Sequence, residues 1–259
     1  QPGRVGRDHP RNHDGTCFSV LVTRTVNRPE PGTDQICRAY EDAWIGVDGY
    51  LKPDGRRQKR AIAFQGDVVT KTGRTISEVY LVDLPDDLTS PGQAPLEGTA
   101  TTRPAPPRGV VQRRLTYTAE REYPGLQGPR HWLRSSPDGA WIAFLMRDDA
   151  GIVQLWKISP NGGVPVQITH NEIDIGSAFS WSPDGRWIAH TMAQTVCVTD
   201  TGDGTTVRLA GTKSGCEGPC PEACVFAPDG KRIAYVRPVR IQGRPWNQIF
   251  VLTLEGIPQ

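Results

Sequence analysis

No apolar run in this 259-residue chain approaches the ~20 consecutive residues that a membrane-crossing helix requires, so helical insertion into a bilayer is not expected. An excess of one charge is missing too. Thirty Lys and Arg stand against 28 Asp and Glu, a net +2, which is too weak to draw the chain to nucleic acid or an anionic membrane by charge alone. The basic run Arg56-Arg57-Gln58-Lys59-Arg60 reads as a solvated loop. Neither a complete GxxxxGK[ST] phosphate loop nor a GxSxG nucleophile elbow occurs, which removes those two routes to phosphate binding and acyl transfer. Six cysteines in so long a chain neither require a disulfide framework nor fix the redox compartment. Gln1-Pro2-Gly3-Arg4 carries no initiator Met and no signal-peptide pattern, so the true N-terminus and any targeting signal are expected outside this sequence, with cytoplasm and periplasm both open.

What the chain does have is turns, with 28 Gly and 23 Pro, and a repeat that uses them. The stretch Phe179 to His190 reads FSWSPDGRWIAH: a short apolar run, a Pro-Asp-Gly turn, and an aromatic-rich run leaving it. Proline presets φ and glycine accepts φ > 0, so both arms of such a unit are extended. The unit recurs at Ser136-Pro137-Asp138-Gly139 before Trp141-Ile142-Ala143-Phe144, and at Ala227-Pro228-Asp229-Gly230 before Arg232-Ile233-Ala234-Tyr235. Successive glycines are 46 and 45 residues apart, the period of an all-β β-propeller built from four-stranded antiparallel blades.

About four blades can be laid out. Residues 1–118 form a decorated first blade: a degenerate hairpin from Asn12 to Val22 serves as its inner part, Gln35 to Trp44 holds a short helix or loop, Ala61 to Phe64 and Glu78 to Val82 are strands, and the decoration is rooted between its second and third strands. A Pro- and Thr-rich connector, Pro85 to Gly109, precedes an outer strand at Val110 to Thr116. Residues 119–172 form the second blade, with its inner strand near His131 to Arg134 and its outer strand at Val164 to His170. Leu115-Thr116 and Ile168-Thr169 match, which sets the phase. Residues 173–212 form the third blade, and residues 213–259 a fourth that lacks its outer strand. The propeller is therefore expected to be incomplete, the C-terminal part of a longer protein with about three blades outside it. A four-bladed unit closed by dimerisation is the alternative.

The SPDG-x-WIAF unit resembles the WD40-like repeat of TolB-like β-propellers. A closer resemblance rests on Ala105 to Thr116, Thr33 to Ala43, Tyr123-Pro124-Gly125-Leu126, Pro129-Arg130-His131-Trp132 and Ala143 to Trp156, which together look like an uncharacterised bacterial family of TolB-like propeller proteins. The resemblance runs from His9 to about Leu254. It implies further blades and a closing outer strand in an absent N-terminal part, and supplies no activity to transfer. The insertion around Lys52 to Arg60 and the cysteine cluster depart from it.

Candidate chemistry gathers where inner strands begin. Arg130, His131, Trp132 and Arg134 are the candidate ligand-binding residues, suited to a small anionic ligand or saccharide through bidentate arginine contacts, or to a protein partner. His9 and His131, completed by Asp8 or Asp14, are the candidate divalent-metal ligands, and no other cofactor is expected. His131 ahead of an SPDG turn is similar to the pattern of oligogalacturonate lyases, which implies a metal-dependent lyase or hydrolase acting on an acidic saccharide as the alternative to a non-catalytic binding scaffold. Packing of His131 and Trp132 into the channel wall is equally open, as are ion pairs of Arg130, Arg134 and Arg147 with Asp148 and Asp149. Cys216, Cys220 and Cys224, spaced by four, lack the CxxC spacing of a zinc knuckle and read as a local disulfide, a chance cluster or a thiolate site. Trp141, Trp156, Trp181, Trp187 and Trp246 recur at strand positions and read as inter-blade core, which argues against nucleic-acid binding.

Overall fold

The computed structural model describes residues 19–129, 132–211, 218–222 and 224–254. Its three Pro-Asp-Gly turns close alike. Ser136, Ser182 and Ala227 each donate the backbone N–H to the carbonyl five residues on (2.8 Å in each case), and each turn glycine donates back to the same residue. The aspartates hold the corners from inside: Asp138 Oδ1 accepts from Ala140 N, Asp184 Oδ1 from Arg186 N and Asp229 Oδ1 from Lys231 N, at 2.9 to 3.0 Å. Gly139, Gly185 and Gly230 take φ of +75°, +75° and +68°, a region closed to most side chains.

Four antiparallel sheets follow in chain order. The first pairs β1 (Ile36–Trp44), β4 (Ala61–Val69), β5 (Thr75–Asp83) and β6 (Val111–Arg114), with a hairpin of β2 (Tyr50–Leu51) and β3 (Arg57–Gln58) between β1 and β4. The second runs β7 (Arg134–Ser135), β8 (Ile142–Arg147), β9 (Val153–Ile158), β10 (Val166–Gln167). The third runs β11 (Ser180–Trp181), β12 (Trp187–Met192), β13 (Thr195–Asp200), β14 (Thr206–Gly211). The fourth has three strands among the described residues: β15 (Val225–Phe226), β16 (Arg232–Ile241) and β17 (Arg244–Thr253). The architecture is thus an all-β, multi-blade arrangement. No helix of the described residues is long and apolar enough to cross a membrane.

The sheets stack face to face. In β8, Ile142, Phe144 and Met146 pack against Ala61, Ala63, Val79 and Leu81 of the first sheet, while Ala143 and Leu145, on the opposite face, join Phe179 and Ile188 of the third. The third sheet repeats the device: Ile188 faces back, and Ala189, Val196 and Val198 pack on Phe226 and Ile233 of the fourth. Burial on both faces is why IAFLM is a continuous apolar run rather than an alternating one. Each large side chain buried this way contributes about 1.5–3 kcal/mol.

First strands are neighbours, β1 to β7, β7 to β11 and β11 to β15, and each contact carries a polar latch. Gly46 N donates to Ser135 Oγ (2.9 Å), Trp181 Nε1 to the Arg134 carbonyl (3.0 Å), and Ser180 Oγ to the Cys224 carbonyl (2.5 Å). Outer strands carry a second repeated device. Thr116 Oγ1 accepts from Val79 N (2.8 Å) and donates to the fully buried Glu78 carboxylate (2.5 Å). Thr169 Oγ1 accepts from Leu155 N (3.0 Å) and donates to the buried Gln154 amide oxygen (2.7 Å). The Leu-Thr and Ile-Thr match marks this tie.

The structure corrects four expectations. Gln35 to Trp44 is neither helix nor loop, since nearly all of it is β1. Two register breaks and a φ of +54° at Glu41 scramble the period-two pattern that would have marked a strand. Val22 does not belong to an inner strand but packs over the outward face of the first sheet beside Ala39 and Ile62, and residues 12–18 lie outside the described residues. The decoration is not rooted between second and third strands. The β4–β5 turn is tight, with Thr70 N donating to the Arg74 carbonyl (2.8 Å), and the inserted chain lies between β1 and β4 and between β5 and β6. Trp246 is not core: it is 53% exposed, on a hairpin that runs past the ends of its neighbours.

His190 sits fully buried in β12 with Nε2 2.8 Å from Thr199 Oγ1 and Nδ1 without a partner. Burial pushes it down to about 4 from 6.5, with a smaller opposing contribution from the Thr191 backbone. Cys197, opposite it in the strand pair, is pushed up to about 11 by burial and stays neutral through that range. The unfolded chain takes up this proton below pH 6.5 and the folded chain only near 4, so between those values the unfolded state binds more protons and stability falls as pH falls.

Two measurements test this description. Gly139→Ala places a Cβ 2.0 Å from the Gly49 carbonyl oxygen, whereas Gly230→Ala, at a similar φ, meets only Pro183 Cδ at 3.8 Å. Urea unfolding is expected to show the first costing at least about 2 kcal/mol more than the second. Equal costs would mean that the first and second sheets do not interlock there. In thermal melts from pH 7 to pH 4, His190→Leu is expected to lose stability less steeply than the parent, by up to about 3 kcal/mol over the range. Parallel curves would show that His190 is not held neutral.

Candidate functional site

Strands alternate in direction, so the turns between second and third strands share one rim of the stack with the connectors that deliver each new first strand. Trp132 and Arg134 lie at that entry, on the second sheet. The Arg134 guanidinium lies over the Trp132 ring at 4.7 Å, and its Nη1 donates to the Leu133 carbonyl (2.8 Å). Its carbonyl accepts from Trp181 of the third sheet, and the side chain of the next residue, Ser135, accepts from Gly46 N beside the first. Burial lowers the Arg134 pKa and the Glu41 charge opposes that shift, yet an arginine remains cationic at neutral pH. Glu41 belongs to the neighbouring first strand, at the bulge with positive φ. A cation held over an aromatic ring beside a half-buried carboxylate is an arrangement that can receive an anion or a sugar face.

Of the four candidate ligand residues, the structure brings Trp132 and Arg134 together, while Arg130 and His131 lie outside the described residues. The candidate metal ligands His9 and His131, with Asp8 and Asp14, are outside them as well. Among the described residues no group of three or more His, Cys, Asp or Glu side chains is placed to hold a metal ion.

The other polar concentration resolves into turn chemistry. Arg147 donates to Gln127 Oε1 (2.9 Å) and to the Gly151 carbonyl. Burial pushes the Asp148 carboxyl up, but hydrogen bonds from Ile152 N, Gln154 and Ala150 N outweigh it and leave it below its ordinary value. Asp149 is exposed and pairs with Arg121 at 3.3 Å. The cysteine cluster is not a disulfide between its described members: Cys220 and Cys224 are not bonded to each other. Burial, with the nearby Cys197 adding to it, pushes Cys224 up to about 12, the opposite of what a thiolate ligand needs. Cys216 lies outside the described residues.

One charged constellation had no signal in the sequence. Asp83, nearly buried, accepts from Tyr50 Oη at 2.9 and 3.1 Å and from Arg113 Nη1 at 3.1 Å, with Lys52 Nζ at 3.3 Å. Arg113 Nη2 also reaches Tyr50 Oη (2.7 Å) and the Pro160 carbonyl (2.5 Å), and Asn161 donates to the Leu51 carbonyl (2.9 Å). Burial raises the Tyr50 phenol, and Asp83 adds to the shift against the opposing Arg113. The arrangement ties the β2–β3 hairpin to the first sheet and to a turn of the second. Asp83 is 30 or more residues from each of Tyr50, Lys52 and Arg113, and no local spacing announces the cluster. A cleft of about 330 Å³ opens on the opposite rim between Trp187, Phe226, Lys231 and Leu254, and the carboxylates beside it, Asp184 and Asp229, are bound to their own turns.

No family model matches the chain. Over 239 residues it is 46% identical to a protein of Escherichia coli (strain K12) named "Uncharacterized protein YidR", an alignment that covers 91% of this chain and 54% of that protein. The chain thus spans about half the length of the curated relative it matches. Among solved structures it is similar to TolB from Acinetobacter baumannii, at 19% identity and a TM-score of 0.45, covering 79% of this chain and 40% of that one. It is also similar to a manganese complex of oligogalacturonate lyase, at 14% identity and a TM-score of 0.43, covering 83% of this chain and 66% of that one.

Proposed function

We propose that the chain is a non-catalytic binding scaffold, the C-terminal part of a TolB-like β-propeller that takes a small anionic ligand or an acidic saccharide at the entry of its first strands. The observation that carries this reading is the fixing of Arg134. Its carbonyl is latched to Trp181 and the adjacent Ser135 side chain to Gly46, and its guanidinium is held on Trp132 with the Glu41 charge acting on it. A cation preorganised in this way binds with little further loss of side-chain freedom. The polar groups buried elsewhere, Glu78, Asp83 and Gln154, are engaged in ties within and between sheets, which supports a rigid platform. The rival reading, a metal-dependent lyase or hydrolase acting on an acidic saccharide, would place a divalent metal on His9 and His131.

Calorimetric titration with digalacturonate and with inorganic phosphate tests the proposal, run alongside an absorbance assay for unsaturated sugar product and elemental analysis of protein without a histidine tag. Saturable binding that Arg134→Ala weakens about tenfold or more, with no product formed, is expected. Product formation with stoichiometric metal that His131→Ala removes would replace the scaffold by the lyase. Binding unaffected by Arg134→Ala, or absent with both ligands, would overturn the site.

A further inference from the structure

The β16–β17 hairpin is longer than the stack needs. Its strands are ten residues each, against six in β8, β9, β12 and β13. By alignment with the third sheet, the excess begins at the Pro238–Asn247 pair and ends at Ile241–Arg244. Four pairs at about 3.3 Å per residue project the ribbon roughly 13 Å past its neighbour, on the rim that also carries Trp132. The first sheet has a hairpin nearly as long, but β1 accompanies it from Ile36 opposite Val68 to Trp44 opposite Ile62. Among the described residues, β15 accompanies the last hairpin only at Ala234 and Ile233, and Cys220 adds a contact at Val236 and Asn247, leaving the pairs from Val239 to Ile241 without a third strand. A bare two-stranded ribbon is marginal in water, so the excess is costly unless something covers it.

Its composition says what would. Residues 232 to 253 contain four arginines and no carboxylate; Arg232 pairs with Asp229 outside that stretch, Arg240 lies on one face of the ribbon, and Arg237 and Arg244 share the other. Period two places Arg237, Val239, Ile241, Arg244 and Trp246 on one face, continuing the face on which Tyr235 and Leu252 reach the core. Trp246 and Ile241 are 53% and 56% exposed, and Arg237 is already steadied over the Phe250 ring at 4.1 Å. Each strand of the projection carries a proline, Pro238 and Pro245, which removes an N–H and opposes addition of a further strand at the edge. The occupant therefore docks on the face. We propose that this face is a docking surface for an acidic segment of a partner protein, whose carboxylates pair with Arg237 and Arg244 and whose aliphatic side chain rests on Trp246 and Ile241. Tryptophan and arginine are the residue types that dominate such contacts. A nucleic acid would want several aromatics open to its bases; on this face Tyr235 and Phe250 stack on each other, and the projecting part offers Trp246 alone among aliphatic residues. The surface is separate from the Trp132–Arg134 site and goes beyond the function proposed there.

The test is fluorescence anisotropy with three labelled peptides, alternating leucine with aspartate, asparagine or lysine, and with a labelled single-stranded oligonucleotide, against the full chain and the variants Arg244→Glu, Trp246→Ala and Arg134→Ala. The aspartate peptide alone is expected to bind. Arg244→Glu and Trp246→Ala should each weaken it about tenfold or more, with melting temperatures kept, while Arg134→Ala leaves it unchanged. Failure of the aspartate peptide to bind, equal binding of the lysine peptide, or indifference to both ribbon variants would overturn the proposal. Oligonucleotide binding abolished by the same variants would reassign the face to nucleic acid. Sedimentation showing a dimer that those variants dissolve, without peptide binding, would reassign it to a second copy of the chain.

Discussion

The structure depends on one constraint: a sheet in the interior of this stack, as the second and third are, must bury both of its faces. In β8, alternate side chains serve two different interfaces, Phe144 to the first sheet and Leu145 to the third, so no residue of that strand is free to vary as a solvent-facing one would. The constraint propagates, since each sheet supplies a floor for the next and each first strand is then brought close enough to latch to its neighbour through Ser135, Trp181 or Ser180. Apart from His190, whose Nδ1 has no partner, the polar side chains at the heart of this interior are tied to neighbours. Glu78 accepts from Thr116, Thr118 and Arg114, and Gln154 occupies the equivalent place in the second sheet with Thr169 and Asn171. Buried groups satisfied to this degree fix register as well as fold.

Where the sequence carried a repeated local signal, the fold was legible from it. Each Pro-Asp-Gly turn is made by its own residues, the aspartate capping backbone groups within two positions, so its outcome travels with its sequence. The Leu-Thr and Ile-Thr match was legible for the same reason. β1 was not, because its bulge at Glu41 destroys the alternation that identifies a strand. The placement of the insertion was not either, since it rests on contacts such as Val47 N to the Pro137 carbonyl, 90 residues away in the chain. For the candidate site, the proximity of Trp132 to Arg134 could be read from spacing, but Glu41 could not, because it comes from the neighbouring sheet. The exposure of Trp246 was missed because strand periodicity says which face a residue takes, and not whether anything lies against that face.

The ties between successive sheets are unequal in number, and that has a consequence for how the chain comes apart. The first and second sheets share the Gly46 latch, the Val47 contact, the close approach of Gly49 and Gly139, and the Tyr50–Asp83–Arg113 cluster reaching Pro160. The second and third share the Trp181 latch and a hydrogen bond from Lys157 Nζ to the Thr201 carbonyl. Between the third and fourth, the ties among the described residues are the Ser180 latch to Cys224 and a hydrogen bond from Ala178 N to the Pro221 carbonyl, and Ile249 and Val251 on the far face stand 76% and 64% exposed. Among the described residues the first two sheets are the most heavily interlocked and the projecting end of the last hairpin the least, so its amide hydrogens are expected to exchange through local fraying before those of β4 and β8.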